Sequence, residues 1–171
     1  TANRFFPALG NHDWHTTAGS PPLPQSSLDY FDLPGNERYY DVVIGPVHVF
    51  VVDSDAHEPD GIESTSAQAD WLRQGLANST APWRIVTMHH PPYSSSLAHG
   101  STPAMQWPYA AWGATAVLAG HDHTYERIVR DGIVYFVNGI GGADRYPIGT
   151  PIPGSEAHFN ADYGAMLIEA T

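Results

Sequence analysis

Short apolar runs alternate along the chain with polar segments rich in glycine and proline, and this pattern predicts several short strands. Gly45-Pro46 and Asp131-Gly132 each separate two β-rich runs, which is typical of hairpins. Strands are predicted at residues 4–9, 38–44, 47–53, 83–89, 116–120, 126–130, 133–138 and 163–170. Residues 18–25 are predicted to be a loop.

Helical segments are predicted between these strands. Thr65 and Gln68 resemble a capping box that opens a helix ending near Asn78, and a shorter helical piece is expected at residues 104–112. Because helices alternate with strands, the pattern favours an α/β fold with a mixed sheet over an all-β fold. The 171 residues, of which 42% are hydrophobic, are expected to form a single domain spanning 1–171.

Composition limits the chemistry that this domain can perform. The net charge is −11, with seven basic residues that are all arginine, so we expect no nucleic-acid partner. The chain has no cysteine, so any metal must be held by imidazole, carboxylate, carboxamide or water. No apolar run approaches the roughly 18 residues of a membrane span, and we expect no membrane partner. The opening residues have no signal-peptide layout and leave the location undetermined.

Polar side chains follow three of the predicted strands, at the point where each strand ends. The sequences GNHD at 10–13, VTMHH at 86–90 and GHDH at 120–123 supply six candidate ligands: Asn11, His12, His89, His90, His121 and His123. The carboxyl ends of strands are where open α/β sheets bind their ligands. A single histidine is commonly a hydrogen-bonded surface residue, but three such strand ends in one small domain indicate a metal or phosphate site.

These motifs, in this order, resemble those of the calcineurin-like metallophosphoesterase superfamily. The segments YFDLPGNERYYDVVIGPVHVFVVDSD, HHPPYSS and GHDHTYER are most similar to its purple acid phosphatase and tartrate-resistant acid phosphatase branch, so the resemblance covers nearly the whole chain. It implies a mixed-sheet α/β sandwich and metal-dependent hydrolysis of phosphate esters, as in an acid phosphatase acting on phosphomonoesters. It also suggests a secreted or periplasmic location.

The resemblance implies specific roles for the matching residues. Two metal ions of the Fe, Zn or Mn type, roughly 3.5–4 Å apart, would bind the phosphate and lower the pKa of a metal-bound water so that hydroxide attacks phosphorus. Asn11, His89 and His121 would bind one ion, and His123 the other. His12 would protonate the leaving oxygen or bind the phosphate, with Asp13 orienting its imidazole. His99 resembles the histidine of the family's substrate pocket.

Residues beside the motifs are given other roles. Because side chains repeat with a period of two along an extended segment, His121 and His123 can face two adjacent ions, whereas His90 is predicted to point away from the site. Asp53 is a candidate supporting residue behind the ligands. Glu126 and Arg127 are predicted to form a structural pair. Residues 138–142 are predicted to form a tight turn near the site. The remaining histidines, His15, His48, His57 and His158, belong to no motif.

The chain also departs from the family pattern. The motifs D-x-G and G-D-x-x-Y, which supply the terminal and bridging carboxylates, do not precede GNHD, so we expect a metallophosphoesterase domain whose amino-terminal part is missing. Two explanations remain open: a piece of a longer phosphatase, or a minimal variant that uses one metal or borrows a carboxylate.

The missing motifs also keep other functions open. A degenerate domain that binds a metal ion or phosphate without hydrolysis is one alternative, and a phosphodiesterase is another. An uncovered apolar sheet face and edge would favour a homo-oligomer.

Overall fold

The computed structural model of this chain describes residues 5–14 and 22–171. Within them a seven-stranded sheet is formed by β1 (Tyr40–Ile44), β2 (Val47–Val51), β3 (Trp83–Thr87), β4 (Ala116–Ala119), β5 (Tyr125–Arg130), β6 (Ile133–Asn138) and β7 (Ser155–Phe159). The helices are α1 (Gln25–Tyr30), α2 (Ala67–Asn78) and α3 (Tyr109–Trp112), with a single 3₁₀ turn at Pro103–Met105.

The sheet is mixed, as the sequence predicts. Its strand order is β1-β2-β3-β4-β6-β5-β7. The four central strands β2, β3, β4 and β6 are all parallel to one another. The outer pairs β1-β2, β5-β6 and β5-β7 are antiparallel. Parallel strands bring their carboxyl ends to one edge, so the segments that follow β2, β3 and β4 are neighbours there.

One face of the sheet carries the main core. Alternate residues of the parallel strands, Phe50, Val86, Val117 and Tyr135, are aligned by the strand register and are buried. Helix α2 packs on this face with Ala69, Leu72 and Leu76, the i, i+3, i+7 spacing of one helix side. The apolar residues that alternate along the strands and those on one side of α2 therefore form one core between the sheet and the helix.

The opposite face of the sheet is also apolar but is less completely covered. Ile85, Leu118 and Phe136 line a groove on this face together with residues 166–170 of the carboxyl-terminal segment. Trp83 Nε1 donates a hydrogen bond to the carbonyl oxygen of Thr171 at 3.3 Å. Residues 163–170 were predicted to form a strand, and this is wrong: they lie against the face of the sheet and do not extend the ladder at either edge.

The first strand was predicted at residues 4–9, of which Arg4 lies outside the described residues. Residues 5–9 do not form a strand. Pro7 has no N–H to donate to a ladder, and its carbonyl oxygen instead accepts a hydrogen bond from the Tyr40 hydroxyl at 2.7 Å. The loop predicted at 18–25 lies mostly outside the described residues, and α1 begins at its last residue, Gln25.

Strand β7 was not predicted from the sequence. Its residues SEAHF are mostly exposed, so they lack the apolar alternation that marks a half-buried strand. The strand pairs with β5 across a register shift, and Arg127 forms an ion pair with Glu156 of β7. The predicted pair between Arg127 and Glu126 is therefore wrong, because adjacent residues of a strand face opposite sides of the sheet.

The start of α2 differs from the predicted capping box. Ser66 is the N-cap, and its hydroxyl accepts a hydrogen bond from the Ala69 N–H at 3.1 Å. Gln68 is instead fully buried and bonds both the N–H and the carbonyl oxygen of Asp53. The end of the helix at Asn78 is as predicted.

Gly139 permits a close backbone approach between the end of β6 and the turn that carries the two GHDH histidines. A Cβ added at Gly139 would lie 2.1 Å from the carbonyl oxygen of Asp122. We expect Gly139→Ala to lower the free energy of unfolding by about 2–3 kcal/mol, since one of the two backbone segments must move. Urea unfolding measures this, with Gly141→Ala as the control because its added Cβ meets no atom within 4 Å. Equal losses in the two variants would contradict the steric explanation.

Candidate metal centre

Three segments distant in sequence bring their donor atoms together at the carboxyl edge of the sheet. His89 Nε2 lies 2.9 Å from Asn11 Oδ1 and 3.0 Å from His121 Nδ1. His89 follows β3 and His121 follows β4, the neighbouring parallel strand. Two imidazole nitrogens and one carboxamide oxygen at these separations fit a single metal ion that accepts borderline nitrogen donors and oxygen.

Local backbone features allow these side chains to meet. A Cβ at Gly10 would lie 2.8 Å from His89 Nδ1, so glycine is needed where the first segment passes over this imidazole. His121 has a φ of 61°, in the left-handed region that residues other than glycine rarely occupy. The chain therefore turns sharply directly after β4, and this turn directs the His121 ring toward His89.

His90 belongs to the same cluster, contrary to the sequence prediction. One ligand atom from each of His89, His90 and His121 lies within 4.8 Å of the others, and the ring centroids of His90 and His121 are 4.3 Å apart. The prediction assumed strand alternation through residue 90. Strand β3 ends at Thr87, so the period of two no longer applies at the two histidines.

His99 and His123 flank this cluster on its exposed side. The ring of His99 is exposed, and its centroid lies 4.1 Å from that of His121. His123 Nδ1 donates a hydrogen bond to the carbonyl oxygen of Asp144 at 2.6 Å. The lone pair of Nε2 is therefore the one that the ring can offer to a metal ion. The His123 ring stacks on Tyr146 with the centroids 4.1 Å apart. Tyr146 carries no motif, and sequence reasoning missed it.

The described residues provide one group of three or more side chains of histidine, aspartate or glutamate that could hold a metal ion. That group is His89, His90 and His121, and His123 is not part of it. The structure therefore fits a metal at the first site, whereas the residues described around His123 do not complete a second one. The assignment of His123 to a second ion stays a prediction.

The loop that carries Asn11 and His12 is fixed by Asp13. The Asp13 carboxylate accepts hydrogen bonds from the Gly10 N–H at 2.8 Å and from the Ser27 hydroxyl of α1. His12 is exposed, and no hydrogen bond joins its imidazole to Asp13 in the described part of the chain. Asp13 therefore contacts the backbone of this loop and helix α1, and its predicted effect on the His12 ring has no direct contact to act through.

Two buried carboxylates, Asp122 of the GHDH turn and Glu126 of β5, hold the segment that precedes His99. The Ser94 hydroxyl donates to Asp122 Oδ2 at 2.6 Å, and the Ser95 N–H donates to Glu126 Oε2 at 2.7 Å. Both acidic side chains are fully buried. Asp122 thus anchors the loop that leads to His99.

The imidazoles of the cluster are held in their neutral form. Burial, with the neighbouring His90 imidazole as a second cause, lowers the pKa of His89 to about 4. Burial also lowers the pKa of His121 to about 3, with contributions from His90 and His89, and it lowers the pKa of His90. Neutral imidazole is the form that donates a lone pair to a metal ion.

Asp53 lies beneath this edge and does not contact the cluster. Its buried carboxylate oxygens accept hydrogen bonds from Trp14 Nε1 at 2.9 Å and from the Asp55 N–H at 2.8 Å. Burial raises the pKa of Asp53 to about 7, and the negative charge of Glu58 acts in the same direction. The folded protein therefore holds this proton more tightly than the unfolded chain.

The raised pKa gives a stability prediction. Asp53 should lower the free energy of unfolding progressively as pH rises from 3.8 to about 7, because only the unfolded chain ionises easily in that range. The full effect is about 4 kcal/mol at neutral pH. We expect the metal-free chain to lose this much stability relative to Asp53→Asn between acid and neutral pH in urea unfolding. Both chains contain the same histidines, so the contribution of histidine titration to stability cancels in the difference. Parallel plots of unfolding free energy against pH for the two chains would contradict the prediction.

Residues 1–125 match the family described as calcineurin-like phosphoesterase. The chain belongs to this family. The matched range contains every candidate residue of the cluster and its flanks, from Asn11 to His123. The predicted membership in the metallophosphoesterase superfamily is thus confirmed, and the chain is a member of a family of hydrolases.

Relatives of this calcineurin-like phosphoesterase carry acid phosphatase names. Purple acid phosphatase 15 of Arabidopsis thaliana is 30% identical over 155 residues, which cover 78% of this chain and 28% of that protein. Tartrate-resistant acid phosphatase type 5 of Oryctolagus cuniculus is 31% identical over 88 residues, which cover 48% of this chain and 27% of that protein. The chain thus spans less than a third of the length of these two relatives.

A solved structure supports the fold. The purple acid phosphatase PPD1 from yellow lupin (Lupinus luteus) seeds matches with a TM-score of 0.69 and 18% identity, over 91% of this chain and 34% of that chain. The predicted mixed α/β fold of the metallophosphoesterase type is confirmed by this likeness. Among the described residues, none of the helices has the length and apolar character to span a membrane.

Proposed function

We propose that this chain is a metal-dependent phosphomonoesterase of the acid phosphatase type. The observation that carries the proposal is the convergence of Asn11, His89 and His121 from three separate segments onto one point. Family membership and the names of the relatives support phosphate-ester chemistry. A phosphate-ester small molecule is the proposed substrate class.

Each residue of the site has a defined task in this proposal. Asn11, His89 and His121 would hold a metal ion of the Fe, Zn or Mn type, and one relative is named as an Fe(3+)-Zn(2+) enzyme. When bound, such an ion supplies Lewis-acid chemistry to a phosphate ester and to the attacking water. His12, which is exposed beside the cluster, would protonate the leaving oxygen, and His99 would donate a hydrogen bond to the phosphate.

The number of metal ions is a separate part of the proposal. His123 keeps Nε2 available next to the cluster and would contact a second ion if further ligands are provided from outside the described residues. Since the described residues complete one metal group, a single ion per chain is the alternative to two.

Two other functions remain as alternatives. The chain could bind a metal ion or phosphate without hydrolysing an ester, or it could cleave phosphodiesters. The first alternative is favoured by the single complete metal group among the described residues. Comparison of monoester and diester substrates decides between the two hydrolytic activities.

Hydrolysis of p-nitrophenyl phosphate by the purified chain tests the proposal. We expect turnover that disappears on chelation and returns when Zn²⁺, Mn²⁺ or Fe²⁺ is added, with at least one ion per chain by elemental analysis. Bis(p-nitrophenyl) phosphate assayed in parallel separates mono- from diesterase activity. A chain that binds metal but releases no phosphate from either compound contradicts the proposal and supports the binding function.

We also propose a secreted or periplasmic location.

We further propose that the chain self-associates. The sheet face lined by Ile85, Leu118 and Phe136 is covered only in part by the carboxyl-terminal segment, and Val43 and Ile44 are exposed on the edge strand β1. A second copy of the chain could cover these apolar surfaces. Sedimentation at micromolar concentration tests the oligomer, and a monomer there contradicts it.

A further inference from the structure

His90 contributes a third imidazole to the cluster, and the family pattern V-x-x-H selects only His89. The ligand atoms of His89, His90 and His121 lie within 4.8 Å of one another. Metal–nitrogen bonds of about 2.0–2.1 Å in a tetrahedral site place neighbouring donors roughly 3.3 Å apart. The observed pairs at 2.9 and 3.0 Å are already near this separation, and no pair among the three imidazole ligand atoms exceeds it by more than about 1.5 Å.

Ser54 fixes which nitrogen of His90 is available. Its buried hydroxyl oxygen accepts the backbone N–H of His90 at 2.8 Å and lies 2.9 Å from His90 Nδ1. A hydroxyl oxygen has two lone pairs, so it can accept both the backbone N–H and Nδ1–H. Metal-binding histidines commonly donate their second ring N–H to such a partner, which fixes the ring and leaves Nε2 as the donor atom.

We propose that His90 is a further ligand of the metal ion held by Asn11, His89 and His121. The site then has three imidazoles and one carboxamide oxygen, a donor set suited to Zn²⁺ and to Co²⁺ as its spectroscopic substitute. All four donors are neutral, so the bound ion keeps its full positive charge. This charge would attract a phosphate in a chain whose own net charge is −11. The inference rests on the metal site proposed above and is independent of whether the chain hydrolyses an ester.

Titration of the whole 171-residue chain with Co²⁺, followed by its visible absorption and by displacement with Zn²⁺, tests this inference. We expect His90→Ala to weaken the affinity by at least about 100-fold and to reduce the absorption of the tetrahedral complex. Ser54→Ala should weaken it by about 10-fold, because the ring remains but loses its anchor. His158→Ala is the matched control, since His158 is exposed on β7, and its affinity should equal that of the wild type.

The wild type provides a second test that does not require a variant to fold. Long-range ¹H–¹⁵N spectra of the histidine rings should show the His90 Nε2 resonance changing on Zn²⁺ binding together with that of His89. A His90 ring that keeps its metal-free spectrum, or a His90→Ala chain with wild-type affinity and absorption, overturns the inference.

Phosphatase assays on the same samples separate this inference from the proposed function. Metal binding that depends on His90 in a chain without turnover supports the inference and contradicts the enzyme. Turnover by a His90→Ala chain whose metal affinity is unchanged supports the enzyme and contradicts the inference.

Discussion

Replacing His89 with alanine is expected to remove the bound metal ion and to lower the turnover of p-nitrophenyl phosphate by at least about a thousandfold. His89 Nε2 lies 2.9 Å from Asn11 Oδ1 and 3.0 Å from His121 Nδ1, so its loss removes the donor atom that adjoins both of these ligands. A thousandfold loss corresponds to about 4 kcal/mol of transition-state stabilisation. Elemental analysis and steady-state kinetics on the same sample measure both effects.

The control for this prediction is His158→Ala, which removes an imidazole of equal size from the exposed strand β7. It should keep the metal content and turnover of the wild type. Circular dichroism of the metal-free chains checks that His89→Ala is folded, because the ring packs against the backbone at Gly10. Full metal occupancy in His89→Ala would show that the ion is held elsewhere.

Replacing His12 with alanine is expected to lower kcat while leaving the metal content unchanged. His12 is exposed and makes no hydrogen bond in the described structure, so its loss should not disturb the loop that Asp13 fixes. A general acid contributes about 10²–10⁴-fold to a rate. The loss should reach this size with an alkyl phosphate, whose leaving oxygen needs a proton, and should be smaller with p-nitrophenyl phosphate, whose leaving group departs as an anion.

The dependence on leaving group distinguishes the two roles considered for His12. A loss of equal size for both substrates would indicate that the imidazole binds the phosphate and does not protonate the leaving oxygen. His99→Ala is the comparison, since the proposed hydrogen bond of His99 to the phosphate should affect both substrates equally. Full activity of His12→Ala with an alkyl phosphate would contradict a catalytic role.

The local pattern of the chain was sufficient to locate most of the sheet. The two hairpins and the runs that became β3 and β4 were predicted because buried strands need apolar residues and tight turns need glycine beside asparagine, aspartate or proline. Strand β7 was missed because exposed edge strands carry no such alternation. The segment 163–170 was misassigned because its apolar residues contact a sheet face through side chains without joining the ladder.

The sequence alone also determined which chemistry was available. The motifs around Asn11, His89 and His121 identified the family and the candidate ligands, since a chain without cysteine leaves imidazole and oxygen donors. These motifs follow strand ends that a parallel sheet must align at one edge. The sequence therefore predicted in outline that His89 would meet Asn11, 78 positions away, and His121, 32 positions away.

Only the tertiary structure decided how individual side chains are directed. His90 joins the cluster because β3 ends at Thr87, and the chain beyond a strand no longer alternates its side chains. The left-handed turn at His121 likewise depends on what surrounds it, because its own sequence does not favour that conformation. Local pattern thus determines elements and donor types, whereas ring orientation is fixed by packing between segments that the sequence does not place side by side.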